Sequence, residues 1–184
     1  MPEEYLVRNC APTLAGLKTG SLFTFPYTSK EDLFSSLRCI NCRLREKGLR
    51  LIPLRFSKKK ALLYLFRPKK LSKDLNDSAA AALLKQEGYD PQDCVSCIAH
   101  LRQKLNTQSA FPHEIGLFLG YPVEDVCGFI ENHSCNCKCI GCWKVYGDEE
   151  AAKKKFAQYK KCTRVYCDRL AHGSRLERLA VRSR

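Results

Sequence analysis

With 184 residues, 45% of them apolar and 28% charged, the chain is long enough to build a core without disulfides, since a domain of about 150 residues buries roughly 70% of its unfolded surface. No run approaches the ~18 apolar residues of a membrane span. Met1-Pro2-Glu3-Glu4 is acidic where a secretory signal is basic, so a cytoplasmic protein away from membranes is expected.

The first candidate helix runs from Glu3 to Cys10, and Pro12, Gly16 and Gly20 then interrupt the pattern. Ser21 to Phe25 reads as a short strand. Ser29 has the character of an N-cap with Asp32 three residues on, and Leu33, Phe34, Leu37, Ile40 and Leu44 follow at helical spacing up to Gly48. Leu49 to Phe56 and Ala61 to Arg67 form a hairpin turning at Ser57–Lys60, and apolar residues on both faces of the second strand predict burial on both sides. Leu71 to Glu87 reads as one helix ending at Gly88. Asp90-Pro91-Gln92-Asp93 is expected to start another that runs to about Leu105. Two short helices, Pro112 to Leu119 and Val123 to Glu131, meet at Gly120-Tyr121-Pro122. Asn136 to Tyr146 reads as a strand, and a long helix follows from Gly147-Asp148.

These elements predict an α+β fold, with a single small, mostly antiparallel sheet of about four strands covered by helices. Residues 1–172 are read as one domain and 173–184 as a basic tail that frays.

Two totals are unusual. The formal net charge is +13, from 32 Lys and Arg against 19 Asp and Glu. That excess points to an anionic partner, although the lysines are spread along the chain as on an ordinary solvated surface. There are also 12 cysteines, expected in the cytoplasm as reduced thiols, metal ligands or small core residues. Cys135, Cys137, Cys139 and Cys142 fall within eight residues, and four thiolates complete a site for zinc or an iron–sulfur cluster. On a straight strand, residues 135, 137 and 139 lie in a row on one face, so a metal site requires the segment to turn. The alternatives are a buried cysteine stripe and a redox dithiol. Cys39/Cys42 and Cys94/Cys97 lie inside predicted helices and are read as core or semi-core positions.

Residues 112–130 carry the apolar skeleton of a helix-turn-helix, which makes nucleic-acid binding a rival reading. Against it, the second helix opens with Glu124 and Asp125 and has no Lys or Arg between Val123 and Glu131; acids repel phosphates. A third reading is a thiol-dependent enzyme centred on Cys10, with Lys18 lowering the thiol and His113 as base.

Pro112-His113-Glu114 with Leu119-Gly120-Tyr121-Pro122 resembles the paired motifs of an uncharacterised bacterial domain-of-unknown-function family found in anaerobic Gram-positive bacteria. Cys10 to Gly16, Trp143 to Asp148 and Lys161-Cys162-Thr163 fit the same family. The resemblance implies a small cytosolic single-domain protein and no established activity. It marks the motifs Pro112–Glu114 and Leu119–Pro122, with His113, Glu114 and Tyr121, as the place to look for a site, and the same motifs equally read as a helix start and a helix–helix turn. The leading expectation is a non-catalytic, cysteine-rich protein that binds a metal (zinc or iron–sulfur) or responds to thiol redox state.

Overall fold

The structure, a computed structural model, describes residues 1–182. The fold is α+β, and the chain divides into two compact units. The first comprises Met1–Lys69 and the chain from Lys161 onward, and the second comprises Lys70–Lys160. No helix among the described residues is long and apolar enough to cross a membrane.

The first unit opens with α1 (Glu3–Leu14), whose buried Leu6, Val7, Cys10, Ala11 and Leu14 recur at helical spacing. The helix outlasts its expected stop, because Pro12 sits in the last turn, where its missing N–H removes only one late bond of the ladder. Three strands follow around α2 (Lys30–Leu44): β1 (Gly20–Pro26) before it, then β2 (Arg50–Ser57) and β3 (Lys60–Phe66) after it. Ser29 caps α2, its hydroxyl accepting the Asp32 N–H at 3.2 Å. The sheet order is β1-β3-β2, antiparallel throughout. As the central strand, β3 is buried on both faces. Ala61, Leu63 and Leu65 join the core, while Tyr64 and Phe66 stack on each other with centroids 4.8 Å apart. The edge strand β2 carries Pro53 beside a register shift, where a missing donor is tolerated. The Asn41 side chain closes part of that edge, accepting the Leu51 N–H and donating to the Leu51 carbonyl, each at 2.8 Å.

The hairpin turns where expected, with Ser57 paired to Lys60. Lys58 and Lys59 between them both have positive φ, 34° and 62°. Two-residue turns of this hand favour Asn-Gly, because a Cβ resists the left-handed region. Replacing Lys58-Lys59 by Asn-Gly is expected to stabilise the protein by about 1 kcal/mol. A urea midpoint that does not rise would show that the lysines hold the turn without strain.

The expected fraying is corrected for the described part of the tail, 173–182, while Ser183 and Arg184 lie outside the described residues. α9 (Leu176–Leu179) buries Leu176 and Leu179 completely or nearly so, and both join the core of the first unit. Glu177 is ion-paired with Arg43. Arg67, 3% exposed, ties this end down: its guanidinium donates to the carbonyls of Thr13 (2.8 Å), Leu14 (2.7 Å) and Val181 (2.8 Å). The tail reads as solvent-bound by its charge, but its apolar residues lie three and four apart.

The second unit is mostly helical. The expected helix over 71–87 is two, α3 (Pro68–Leu75) and α4 (Ser78–Gln86), because Asp77 is an N-cap that accepts the Ala79 and Ala80 N–H groups. Likewise Asp93, not Asp90, caps α5 (Cys94–Thr107); Asp90 accepts the Gln92 N–H in the preceding turn. α6 (Ile115–Phe118) is a single turn, shorter than expected, and α7 (Val123–Glu131) follows it across Gly120, whose φ is +73°. The predicted strand over 136–146 is replaced by a hairpin of two-residue strands, β4 (Cys139–Ile140) and β5 (Lys144–Val145). His133, Ser134 and Asn136 all have positive φ, so the chain curls before it can extend. α8 (Glu149–Ala171) follows.

Candidate functional site

The site grows from one carboxylate in the first turn of α7. Asp125, 3% exposed, accepts the indole N–H of Trp143 at 2.7 Å and the backbone N–H groups of Tyr146 (2.7 Å) and Gly147 (2.8 Å). An acid is favoured at this end of a helix, and here it also clasps the β4–β5 hairpin and the residues that lead into α8. Gly141 lets the hairpin lie close: a Cβ there would meet the Phe156 ring at 2.2 Å. Trp143 packs edge-on against Phe156 (centroids 4.5 Å apart) and stacks on Tyr121 (4.7 Å). The Tyr121 hydroxyl donates to the Cys142 carbonyl at 3.2 Å. Burial, aided by Cys142 and Tyr159, pushes this phenol up to about 12, so it stays protonated.

Between α6, α7 and the hairpin lies a cavity of about 310 Å³. Phe111, His113, Tyr121, Phe129, Trp143 and Lys144 line it, with apolar side chains filling the gaps. His113 meets the Phe129 ring edge-on at 4.9 Å. Lys144 Nζ stands 5.9 Å over the same ring and donates to the Ser134 carbonyl at 2.7 Å.

The Pro-His-Glu motif points two ways. His113 is exposed at the cavity, whereas Glu114 is buried on the other side. There Glu114 accepts the Tyr89 hydroxyl at 2.8 Å and pairs with Lys104 at 2.5 Å, and Lys104 also reaches Glu87 at 2.7 Å. Burial pulls the Lys104 ammonium down, but the two carboxylates outweigh it and hold it above its usual range. Burial and Glu114 push the Tyr89 phenol far up. This network anchors the motif. Glu114 therefore anchors the segment that carries His113, and His113 and Tyr121 line the same cavity.

Cys10 and Lys18 belong to the first unit and His113 to the second. Cys10 is fully buried in the core. Burial drives its thiol far above the usual range, and the opposing pull of Lys18 and Ser21 does not reverse this. A neutral, enclosed thiol is a poor nucleophile. Native Cys10 is expected to resist alkylation at least a hundredfold longer than the exposed Cys39, Cys42, Cys135 and Cys142. Timed alkylation with mass mapping checks this, and labelling of Cys10 at the rate of Cys39 would restore the thiol-enzyme reading.

None of the twelve cysteines is joined in a disulfide. Cys39 and Cys42 lie on the outer face of α2, opposite Leu33, Leu37 and Ile40, contrary to the expected core or semi-core placement; Cys97 is buried and Cys94 half-buried. Cys135, Cys137, Cys139 and Cys142 form no buried stripe, since two are exposed and two half-buried. Among the described residues, no three His, Cys, Asp or Glu side chains gather into a group able to hold a metal ion.

Asp125 and Phe129 join the site without any motif that marks them, and Trp143 and Lys144 stand in the family-like stretch Trp143 to Asp148 with nothing there that singles them out as site residues. The available signal is the recurrence of aromatic residues along this stretch, at Phe111, Phe118, Tyr121, Phe129, Trp143 and Tyr146, which includes the chain's one tryptophan.

Fold and site together define an α+β protein with a small aromatic-walled cavity beside a carboxylate-clasped hairpin. The sequence model of a family described as a protein of unknown function, DUF3793, matches residues 6–180. The chain belongs to that family. No curated protein and no solved structure matches it.

Proposed function

We propose that the protein is a non-catalytic binding protein whose ligand is a small organic molecule held in the aromatic cavity of the second unit. The observation that carries this reading is the convergence of His113 and Tyr121, from two separate motifs, on one cavity of about 310 Å³. Cavities of ~300–1,000 Å³ with apolar walls and a few polar groups are the usual form of small-molecule sites. Trp143 is the only tryptophan and lines the cavity, so a metabolite library can be screened by its fluorescence. Saturable quenching is expected, and Ile140→Phe, at an exposed cavity-lining position, is expected to weaken it at least tenfold. A library without a saturable hit, or hits indifferent to Ile140→Phe, would remove the reading.

One observation favours metal binding as a second reading. The cysteine-dense segment does turn, with the Gly141 N–H donating to the Trp143 carbonyl at 3.0 Å, and a four-thiolate site needs such a turn. Its four sulfurs would still have to converge. Elemental analysis of anaerobically purified protein decides it: a stoichiometric metal supports the site, and less than about a tenth of an equivalent removes it. The nucleic-acid alternative is weakened by α7, where Glu124 faces solvent and Asp125 is committed to the hairpin.

A further inference from the structure

We infer that the ligand of this cavity is a flat aromatic anion of one or two rings, its ring among Phe129, Trp143 and Tyr121 and its acidic group on Lys144. The inference rests on the proposed binding function and names the class of ligand.

Three observations converge on it. The first is size: about 310 Å³ lies at the low end of small-molecule sites, where one or two rings fit and a dinucleotide does not. The second is the state of the wall's polar groups. The Trp143 N–H is given to Asp125, and the Tyr121 hydroxyl to the Cys142 carbonyl. These two rings therefore present faces and edges rather than donors, and the donors of the wall are those of Lys144 and His113. A sugar would lose its hydrogen bonds to water there without replacement, whereas an aromatic ring gains offset and edge contacts.

The third observation is charge. The Asp125 carboxylate lies at the cavity but is nearly fully buried and satisfied by three N–H donors. Lys144 is the opposite case. Among the described residues it has no carboxylate within 4.0 Å, and its hydrogen bond to the Ser134 carbonyl uses one of an ammonium's three donors. A cation beside an apolar cavity, with its local acid already spent, selects an anion. Exposed His113, on the same wall, can supply a further hydrogen bond.

Trp143 fluorescence titrations of the full chain with three probes test this. They are 2-naphthoate, its neutral isostere 2-naphthamide, and cyclohexanecarboxylate, which keeps the charge without the ring. The naphthoate is expected to bind at least tenfold tighter than either of the others. Lys144→Met is expected to remove its advantage over the amide, with an unchanged circular dichroism spectrum as the control for folding. Equal binding of naphthoate and naphthamide by the unaltered protein overturns the anion. Equal binding of naphthoate and cyclohexanecarboxylate overturns the aromatic ring. In both cases the binding function stands. Failure of all three probes together with an empty library screen overturns the binding function itself; failure of the probes with library hits of another class overturns only the inference.

Discussion

Replacing Arg67 by methionine is expected to destabilise the first unit by about 3 kcal/mol, and by lysine about 2 kcal/mol. The guanidinium is almost fully buried and gives hydrogen bonds to four carbonyls, of Thr13, Leu14, Lys47 and Val181, from three stretches of chain. Thr13 and Leu14 end α1, where carbonyls lack helical partners and the dipole is negative. Val181 follows α9, and its own N–H donates to the Leu14 carbonyl at 2.9 Å. One planar group therefore caps a helix and fastens the C-terminal segment. Methionine fills much of the volume but takes one donor from each acceptor, each lost bond worth about 1–3 kcal/mol before water relieves part of the loss, while Thr13 and Leu14 keep the N–H groups of Gly16 and Val181. Lysine keeps the charge but lacks the fork that spans these acceptors. Burial draws the guanidinium below its ordinary range, yet arginine stays charged at neutral pH, so the loss should be independent of pH between about 6 and 9. Urea unfolding followed by circular dichroism measures it. A shift under about 1 kcal/mol for both variants would mean that water replaces the guanidinium.

The first unit is the more legible in the sequence because its signals are local. Periodic apolar residues mark α1 and α2, Ser29 marks a cap, and two alternating runs around a charged turn mark β2 and β3. The tail misleads because its basic residues hide Leu176 and Leu179, whose partners lie far away in sequence. In the second unit the alternation of Cys135, Cys137 and Cys139 imitates a strand, and nothing in residues 133–136 announces three left-handed positions without glycine. The candidate site is half legible. His113, Glu114 and Tyr121 stand in recognisable motifs, and of these His113 and Tyr121 line the cavity. Asp125 is visible only as an acid that opposes DNA, because its partners lie 18, 21 and 22 residues on, a separation that no helical or strand period encodes. Cys10 shows the converse: its local setting suggests reactivity, and only the packing of α1 shows that it is sealed.

Substituting alanine for Asp125 is expected to cost the second unit about 3 kcal/mol and to release the hairpin. The carboxylate is the acceptor for the Trp143 indole and for two consecutive backbone N–H groups before α8. Hydrogen bonds to a charged group contribute about 1.5–3 kcal/mol each, and losses at neighbouring partners do not add in full. β4 and β5 pair over only two residues each, too few to hold a hairpin alone. Its position therefore depends on Asp125 and on the Trp143 contacts with Tyr121 and Phe156. Asp125→Asn keeps the shape and one acceptor oxygen, but turns an N–H₂ group toward donors. It is expected to fall between alanine and the unaltered protein. Trp143 reports the change directly: its emission should shift to the red in Asp125→Ala at urea concentrations where circular dichroism still shows folded helices. Because the hairpin forms one wall of the cavity, the alanine variant should also lose ligand binding before it loses the helices. An Asp125→Ala protein with unchanged Trp143 emission and an unfolding free energy within about 1 kcal/mol of the parent would show that the aromatic packing holds the hairpin without the clasp.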